Sequence, residues 1–219
     1  MSGAAIILTH NRPDLLRQTV AAIGPQVSEV VVIDNASDPP VQMDVPDGFG
    51  LAVLNVPDQP PNLAALWQMG IEAIEAICDC EHMRYVAVLC DDAPPPEGWF
   101  DAVVTGMRET GAVIGCSGGS RAQCWVKTEP DGDLGGRMPG HAFVLDVQSP
   151  IRPDQQFHWW WCDTDIDFQG RRAGGMVTVP GFPVHNIHPN EFTYSRPWAA
   201  ERIHHDSMAF DAKWGFRPW

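Results

Sequence analysis

The feature that most constrains the fold is an alternation of short apolar runs with helical patterns in the first half of the chain. Three runs, at 4–8, 29–33 and 85–89, are rich in Val, Ile and Ala and have the length of strands buried on both faces. Apolar residues recur at helical spacing over 14–23 and 62–77. Alternating strands and helices predict an α/β domain with a central, mostly parallel sheet flanked by helices.

The rest of the chain continues this pattern less regularly. Further strands are predicted at 51–54, 113–116, 141–147 and 176–179. Further helices are predicted at 99–109, at 163–173 and from about 198. Residues 117–140 are rich in glycine and predict a loop or a short hairpin.

Composition narrows the class of protein. With 219 residues, 44% of them hydrophobic and 19% charged, the chain can form one sizeable globular domain. It has no apolar run of about 18 residues and no signal-peptide pattern, so we expect no membrane span and a cytoplasmic location. The six cysteines are then expected to be reduced thiols, and the spacing of Cys78 and Cys80 is not that of a usual zinc pair.

The net charge bears on possible partners. A formal charge of −14 argues against duplex nucleic acid as a tightly bound partner, because phosphate binding needs Lys and Arg. An acidic protein that handles phosphates is instead expected to use a metal ion.

Two adjacent carboxylates follow the apolar run at 85–89, in the sequence Cys90-Asp91-Asp92. Two neighbouring carboxylates at the end of a buried strand repel each other, so ionisation of both favours a nearby cation. Hard oxygen ligands select Mg²⁺ or Mn²⁺. An acidic turn after a core strand is an equally valid interpretation of this pattern alone.

Polar residues also follow the first two strands. Thr9, His10 and Arg12 come after the first, and Asp34 ends the second. In open parallel sheets ligands bind at the carboxyl edge, where Asp34 could accept hydrogen bonds from a base or a ribose. Asp34 could also be a turn residue, since Asp-Asn-Ala-Ser is favourable turn chemistry.

Three tryptophans, Trp159–Trp161, precede a run of alternating aspartates at 163, 165 and 167. Three adjacent side chains cannot all face one way, so some are expected to line a cleft, although filling the core is an equal alternative. Carboxylates are favoured in the first turn of a helix, and one that faces a cleft would serve as a general base. His185 and His188 lie in a loop near a strand end and could join a metal site as neutral imidazoles.

Taken in order, these segments resemble the family 2-type glycosyltransferases of the GT-A fold. The resemblance covers about residues 4–190 and rests on AAIILTHNRPDLLRQTVAAI, EVVVIDNASD, PNLAALWQMGIEAI, VAVLCDDAPPPEGW, CDTDIDFQGRRAGG and VTVPGFPVHNIH. The fourth segment is similar to the family's metal-binding DxD strand. The fifth is similar to its acidic catalytic segment, and the sixth to its closing strand with a histidine.

The resemblance implies a single GT-A, Rossmann-like domain over 1–219. Its nucleotide-sugar-binding half would cover about 1–116, its acceptor and catalytic half about 117–193, and a C-terminal tail 194–219. The implied activity is metal-dependent transfer of a sugar, with inversion, from a nucleotide-sugar donor. The expected donor is a UDP-sugar, and the acceptor would be a glycan, a protein or another hydroxyl compound.

The resemblance also implies roles for individual residues. Contacts to the nucleotide sugar map onto Thr9, His10, Arg12, Asp34, Asn62 and Asp91. The implied cofactor is Mn²⁺ or Mg²⁺, held by Asp92 and His185, with His188 as the alternate. Asp163 maps onto the catalytic base, and Trp159, Trp160 and Trp161 would flank the acceptor.

Several residues depart from the family pattern. Cys90 stands in place of the first DxD aspartate, Cys162 replaces a glutamate before the base, Trp67-Gln68 replaces Arg-Asn, and Gln169 replaces an arginine. These departures leave open a non-catalytic module that binds a nucleotide sugar or a glycan. A nucleotidyltransferase is a further alternative, but the THNRPD segment lacks the glycine-rich loop that holds a triphosphate.

Overall fold

The computed structural model describes residues 3–44, 47–57, 60–77, 83–118, 122–131, 136–187 and 195–216. Within these residues eight strands form one sheet: β1 (Ala4–Thr9), β2 (Glu29–Asn35), β3 (Gly50–Val56), β4 (Tyr85–Cys90), β5 (Ile114–Ser117), β6 (Trp125–Lys127), β7 (Ala142–Asp146) and β8 (Met176–Val179). The helices are α1 (Pro13–Ile23), α2 (Leu63–Ile77), α3 (Trp99–Thr110), α4 (Cys162–Ala173) and α5 (Ala199–Trp214). A short 3₁₀ turn, Gly24–Gln26, follows α1.

The sheet is mixed, with the order β3-β2-β1-β4-β7-β5-β8-β6. Strands β1 to β4 are parallel to one another, and β5 and β8 point the same way. Only β6 and β7 run in the opposite direction, each antiparallel to its neighbours. The prediction of an α/β fold with a mostly parallel sheet is confirmed, and β6 is a short strand within the segment predicted as a loop or hairpin.

The core has two layers, one on each face of the sheet, because successive side chains of a strand point to opposite faces. Ile6 and the other buried side chains on its face of the sheet pack against α2, α4 and α5. Ile7 and the buried side chains on the opposite face pack against α1 and α3. The predicted apolar face of α2 is broader than the buried one, since Met69 and Ile77 are exposed.

The topology defines where a ligand is expected. From β1 the chain builds outward through β2 and β3 on one side, and then returns to place β4 on the other side of β1. Helix α1 covers one face and α2 the opposite face, so the crevice between the carboxyl ends of β1 and β4 is a topological switch point. The register brings Leu8 beside Cys90, and the polar residues that follow both strands therefore meet.

Candidate functional site

A cleft of about 790 Å³ opens at this switch point. Nine of the residues predicted as site residues line it, namely Thr9, His10, Arg12, Asp91, Asp92, Trp159, Trp160, Trp161 and Asp163. The other lining residues include Asn35, Leu63, Trp67, Cys90, Arg137, Gly140, His141, Cys162, Asn186, Arg196 and Trp198. The fold therefore gathers into one cavity residues that lie far apart along the chain.

Asp91 and Asp92 lie at the floor of the cleft and are both buried. The Thr9 hydroxyl donates to Asp91 Oδ2 at 2.8 Å. Arg12 Nη1 lies 3.3 Å from Asp91 Oδ1 and 3.2 Å from Asp92 Oδ2, so one guanidinium bridges the two carboxylates. Burial raises the pKa of Asp91, while the Thr9 hydrogen bond and the Arg12 charge act in the opposite direction. The pair thus already holds one cation, as adjacent buried carboxylates require.

The chemistry of these ligands fits Mn²⁺ or Mg²⁺. Asp92 receives Arg12 on Oδ2 and the Asn186 amide on Oδ1, at 3.2 Å, so both oxygens face polar groups inside the cleft. The Ile187 N–H also donates to the Asp92 carbonyl at 2.8 Å, which fixes the 186–187 loop against the aspartates. Carboxylate oxygens such as those of Asp91 and Asp92 are ligands that these hard ions prefer.

The two predicted metal-binding histidines differ from this arrangement. His185 is exposed and does not line the cleft, although its loop neighbour Asn186 does. His188 lies outside the described residues. Their roles as metal ligands therefore stay predictions.

His141 is a cleft residue that the sequence analysis did not identify. It precedes β7, and its Nε2 lies 3.1 Å from the Val184 carbonyl, which can only accept, so Nε2 carries the hydrogen. Burial lowers the pKa of His141, which keeps the imidazole neutral near pH 7, and Asp92 and Asp163 are close enough to act on it electrostatically. A neutral imidazole with Nδ1 unprotonated can accept a hydrogen bond or bind a metal.

Asp163 is the member of the α4 aspartate run that lines the cleft. Asp165 and Asp167 are fully buried elsewhere: Asp165 contacts Lys213 at 2.8 Å, and Asp167 pairs with Arg171 at 2.7 Å. Asp163 Oδ1 accepts the Thr164 N–H at 2.7 Å. Its position makes Asp163 the one of the three carboxylates that can act on a molecule in the cleft.

Glycine at position 140 makes room for this carboxylate. A Cβ added at Gly140 would lie 2.7 Å from Asp163 Oδ2 and 2.9 Å from its Cβ, both far inside ordinary contact. The backbone at Gly140 therefore packs directly on Asp163, and no larger residue fits without displacing one of the two.

The tryptophans satisfy both interpretations that the sequence left open. Trp159, Trp160 and Trp161 all line the cleft, and Trp161 is also part of the buried core. Trp198, just before α5, packs perpendicular to Trp159 with ring centroids 4.8 Å apart. The cleft therefore has an aromatic side in addition to its carboxylate floor.

Arginine side chains are the other group in the cleft that sequence reasoning used little. Arg12, Arg137 and Arg196 line it among the described residues, and Arg137 donates to the Thr164 hydroxyl at 3.3 Å. The planar guanidinium matches the oxygens of phosphate groups. The three arginines equal in number the cleft carboxylates of Asp91, Asp92 and Asp163, so they can donate to phosphate oxygens without giving the cleft a net positive charge.

Asp34 and Asn62, two predicted nucleotide-sugar contacts, do not line the cleft. Asp34 is buried and accepts the N–H groups of Ser37 at 3.2 Å and Val41 at 2.7 Å, which is the turn role that the sequence analysis kept as an alternative. Asn62 Oδ1 accepts the Ala65 N–H at 3.0 Å and so caps α2. Their roles in donor binding stay predictions.

A second group of possible metal ligands, His158, His205 and Asp206, lies behind the tryptophans. The two imidazole rings are stacked, with centroids 4.6 Å apart and planes 7° from parallel. Nitrogen lone pairs lie in the ring plane, so two stacked rings cannot aim at one ion unless a ring turns. Both Asp206 oxygens already accept N–H groups. This arrangement does not fit a metal ion.

No protein-family model and no curated protein matches the chain. Solved structures do match: S. aureus TarS 1–349 has 11% identity over 97% of this chain and 72% of that chain, with a TM-score of 0.56. The same fragment in complex with UDP has 10% identity over 99% of this chain and 72% of that chain, with a TM-score of 0.59.

A third match is GalNAc-T7 with UDP, GalNAc and Mn²⁺, at 12% identity over 90% of this chain and 45% of that chain, with a TM-score of 0.60. These similarities show that the chain has the GT-A fold of glycosyltransferases, which confirms the predicted fold. At 10–12% identity they show the fold alone. No described helix is long and apolar enough to cross a membrane.

Proposed function

We propose that this protein is a metal-dependent glycosyltransferase that moves a sugar from a nucleotide-sugar donor to an acceptor hydroxyl with inversion. The observation that carries the proposal is that Asp163 opens into the same cleft as the Asp91–Asp92 pair, at the switch point of a GT-A sheet. The UDP in two matched structures supports a UDP-sugar as donor, and the Mn²⁺ in one of them supports a divalent ion.

The donor would lie over the ends of β1 and β4. Thr9 and Asp91 are joined by a hydrogen bond there, and His10 and Arg12 line the same region. Asp92 would hold Mn²⁺ or Mg²⁺ with help from the Asn186 loop, and the ion, when bound, supplies positive charge for the leaving diphosphate. Guanidinium groups of the cleft would bind further phosphate oxygens.

Asp163 would act as the general base. Its Oδ2 would take the proton of the acceptor hydroxyl while that oxygen forms a bond to the anomeric carbon. The bond from this carbon to the diphosphate oxygen breaks in the same step, so a single displacement inverts the anomeric centre. The Thr164 N–H holds Oδ1 at 2.7 Å and so orients the carboxylate for this role.

The acceptor would lie against the tryptophans, whose apolar faces suit the C–H faces of a sugar ring.

The cysteines that depart from the family pattern do not replace carboxylates here. Burial raises the pKa values of Cys90 and Cys162, so both are neutral thiols at neutral pH and poor ligands for a hard ion. The proposed donor chemistry therefore rests on Asp91 and Asp92.

The test is the variant Asp163→Asn with a panel of UDP-, GDP-, dTDP- and CMP-sugars, each with and without Mn²⁺. Donor binding is measured by thermal shift, because a ligand that binds the folded state raises its stability. Turnover is measured as nucleotide release. The variant should bind the donor as the wild type does, while turnover falls by about 10²–10⁴-fold.

Asp101→Asn is the matched control, because Asp101 lies in the first turn of α3 as Asp163 lies in that of α4. It should retain full turnover. Metal-dependent donor binding without turnover in the wild type would contradict catalysis and favour the non-catalytic binding module. If no nucleotide sugar binds under any metal condition, the similarity extends to the fold alone.

A further inference from the structure

The C-terminal helix α5 packs directly behind the aromatic side of the cleft. We define the tryptophan wall as Trp159, Trp160, Trp161 and Trp198, all of which line the cleft. The 158–161 segment belongs to no helix or strand, so its shape depends on the groups that satisfy its backbone. Three consecutive backbone N–H groups of this segment, those of His158, Trp159 and Trp160, are bound by one residue of α5.

Asp206 of α5 is the centre of these contacts. It is fully buried, and its Oδ2 accepts the N–H groups of Trp159 and Trp160, both at 2.7 Å, and of His158 at 3.1 Å. Its Oδ1 receives His205 Nδ1 at 2.9 Å. One ionised carboxylate thus satisfies three consecutive backbone donors, and such charge-assisted hydrogen bonds are stronger than neutral ones.

Further contacts join α5 to the same wall. The Trp161 indole N–H donates to the Ser207 hydroxyl at 3.0 Å, and the Trp161 ring packs on Phe210 with centroids 4.9 Å apart. Trp198 leads into α5 and packs on Trp159. Side chains on successive turns of α5 therefore contact three of the four wall tryptophans. They bind the backbone of Trp159 and Trp160 and the indole of Trp161.

We propose that α5 is part of the substrate site and that Asp206 is a positioning residue for the acceptor. This inference rests on the proposed function, in which the wall flanks the acceptor. The Asp206 carboxylate fixes the backbone of Trp159 and Trp160, and the Trp159 indole is held against Trp198 as a consequence. An asparagine at 206 keeps the size, but one of its two acceptor oxygens becomes an NH₂ that faces backbone donors.

The experiment uses the full chain labelled with 5-fluorotryptophan, with the ¹⁹F resonances assigned by single Trp→Phe variants. Asp206→Asn should shift or broaden the resonances of Trp159 and Trp160, while that of Trp99, which lies in the core against the opposite face of the sheet, stays unchanged. Unmoved Trp159 and Trp160 resonances in a folded Asp206→Asn protein would overturn the proposal.

Asp154→Asn is the control. It removes a 2.7 Å contact between Asp154 and Lys213 of α5, but touches no tryptophan of the wall. It should leave all wall resonances in place. If Asp206→Asn does not fold, Ser207→Ala removes only the hydroxyl bonded to Trp161, and the Trp161 resonance must move for the proposal to stand.

Kinetics separate this inference from the proposed function. In Asp206→Asn the acceptor KM should rise by about tenfold or more, because a small misplacement of a positioning group has large effects, while donor affinity is unchanged. Moved resonances with an unchanged acceptor KM would overturn the acceptor role of the wall. A wild type without any turnover would overturn the proposed function, while the resonance shifts would still establish that Asp206 positions the wall.

Discussion

Replacing Gly140 with alanine tests the position of the proposed base without touching its chemistry. The new Cβ would lie 2.7 Å from Asp163 Oδ2 and 2.9 Å from Asp163 Cβ, where ordinary contacts begin at 3.4 Å. Turning the carboxylate relieves the first contact, but the second involves the stem of the side chain. Gly140 or the start of α4 must therefore move by about 0.5 Å, the difference between 2.9 and 3.4 Å.

This displacement sets the expected loss of activity. A misplacement of about 1 Å in an active site can cost on the order of 10²-fold in rate, so half of it predicts about a tenfold loss in kcat. That loss corresponds to about 1.4 kcal/mol of activation free energy. Overpacking of this kind also lowers the free energy of unfolding, by about 1–3 kcal/mol.

The assay is steady-state turnover of the best nucleotide-sugar donor, with donor binding measured separately by calorimetry. Gly106→Ala on α3 is the control, because its methyl would lie 2.6 Å from Val179 Cγ2, a similar conflict outside the cleft. It should lose stability and keep its kcat. A Gly140→Ala protein that is folded, binds donor and retains wild-type kcat would refute the placement of Asp163 as the base.

Three further predictions concern charge. Arg12→Gln should bind Mn²⁺ about tenfold more tightly in the absence of donor, because the Asp91–Asp92 pair loses its internal cation. Electron paramagnetic resonance measures this binding, and weaker binding would show that Arg12 does not compete with the ion for the two carboxylates. Asp92→Ala should abolish any rise in melting temperature caused by Mn²⁺, and a persisting rise would place the ion elsewhere. Arg171→Leu should cost about 3–5 kcal/mol at pH 7 in urea denaturation, because it leaves the buried Asp167 without its cationic partner. Burial raises the pKa of Asp167, so its charge costs stability as the pH rises through that pKa, and the defect of Arg171→Leu should shrink towards pH 4; a defect independent of pH would contradict this assignment.

The carboxyl edge of the sheet could be predicted because parallel strands all end there. The residues after β1 and β4 meet in the cleft for this reason alone. His141 could not be found in the same way. Its strand, β7, runs antiparallel to β4, so the start of β7 lies at the edge where β4 ends. An apolar run predicts a strand but carries no sign of its direction, and His141 and Arg137 were therefore not connected with the site.

The α4 aspartates show a second limit of sequence reasoning. Residues 163 and 167 are four apart and lie on nearly the same face of a helix, so periodicity cannot separate them. The structure separates them by depth: Asp163 is at the start of α4 in the cleft, and Asp167 is one turn further along, paired with Arg171 and bonded to the Met138 N–H at 3.2 Å. The choice between them depends on where the helix begins relative to the sheet edge.

The balance of charge in the cleft gives a physical reason for metal dependence. Among the described lining residues, the guanidinium groups of Arg12, Arg137 and Arg196 equal in number the carboxylates of Asp91, Asp92 and Asp163. Their formal charges cancel, and the rest of the chain is acidic, with a net charge of −14. A nucleoside diphosphate would gain little electrostatic attraction from such a site. A divalent ion between the aspartates would change the balance by two charges next to the phosphates. Chelation of the metal should therefore abolish nucleotide-sugar binding rather than weaken it slightly. Donor affinity should fall over the same range of chelator concentration in which bound Mn²⁺ is lost.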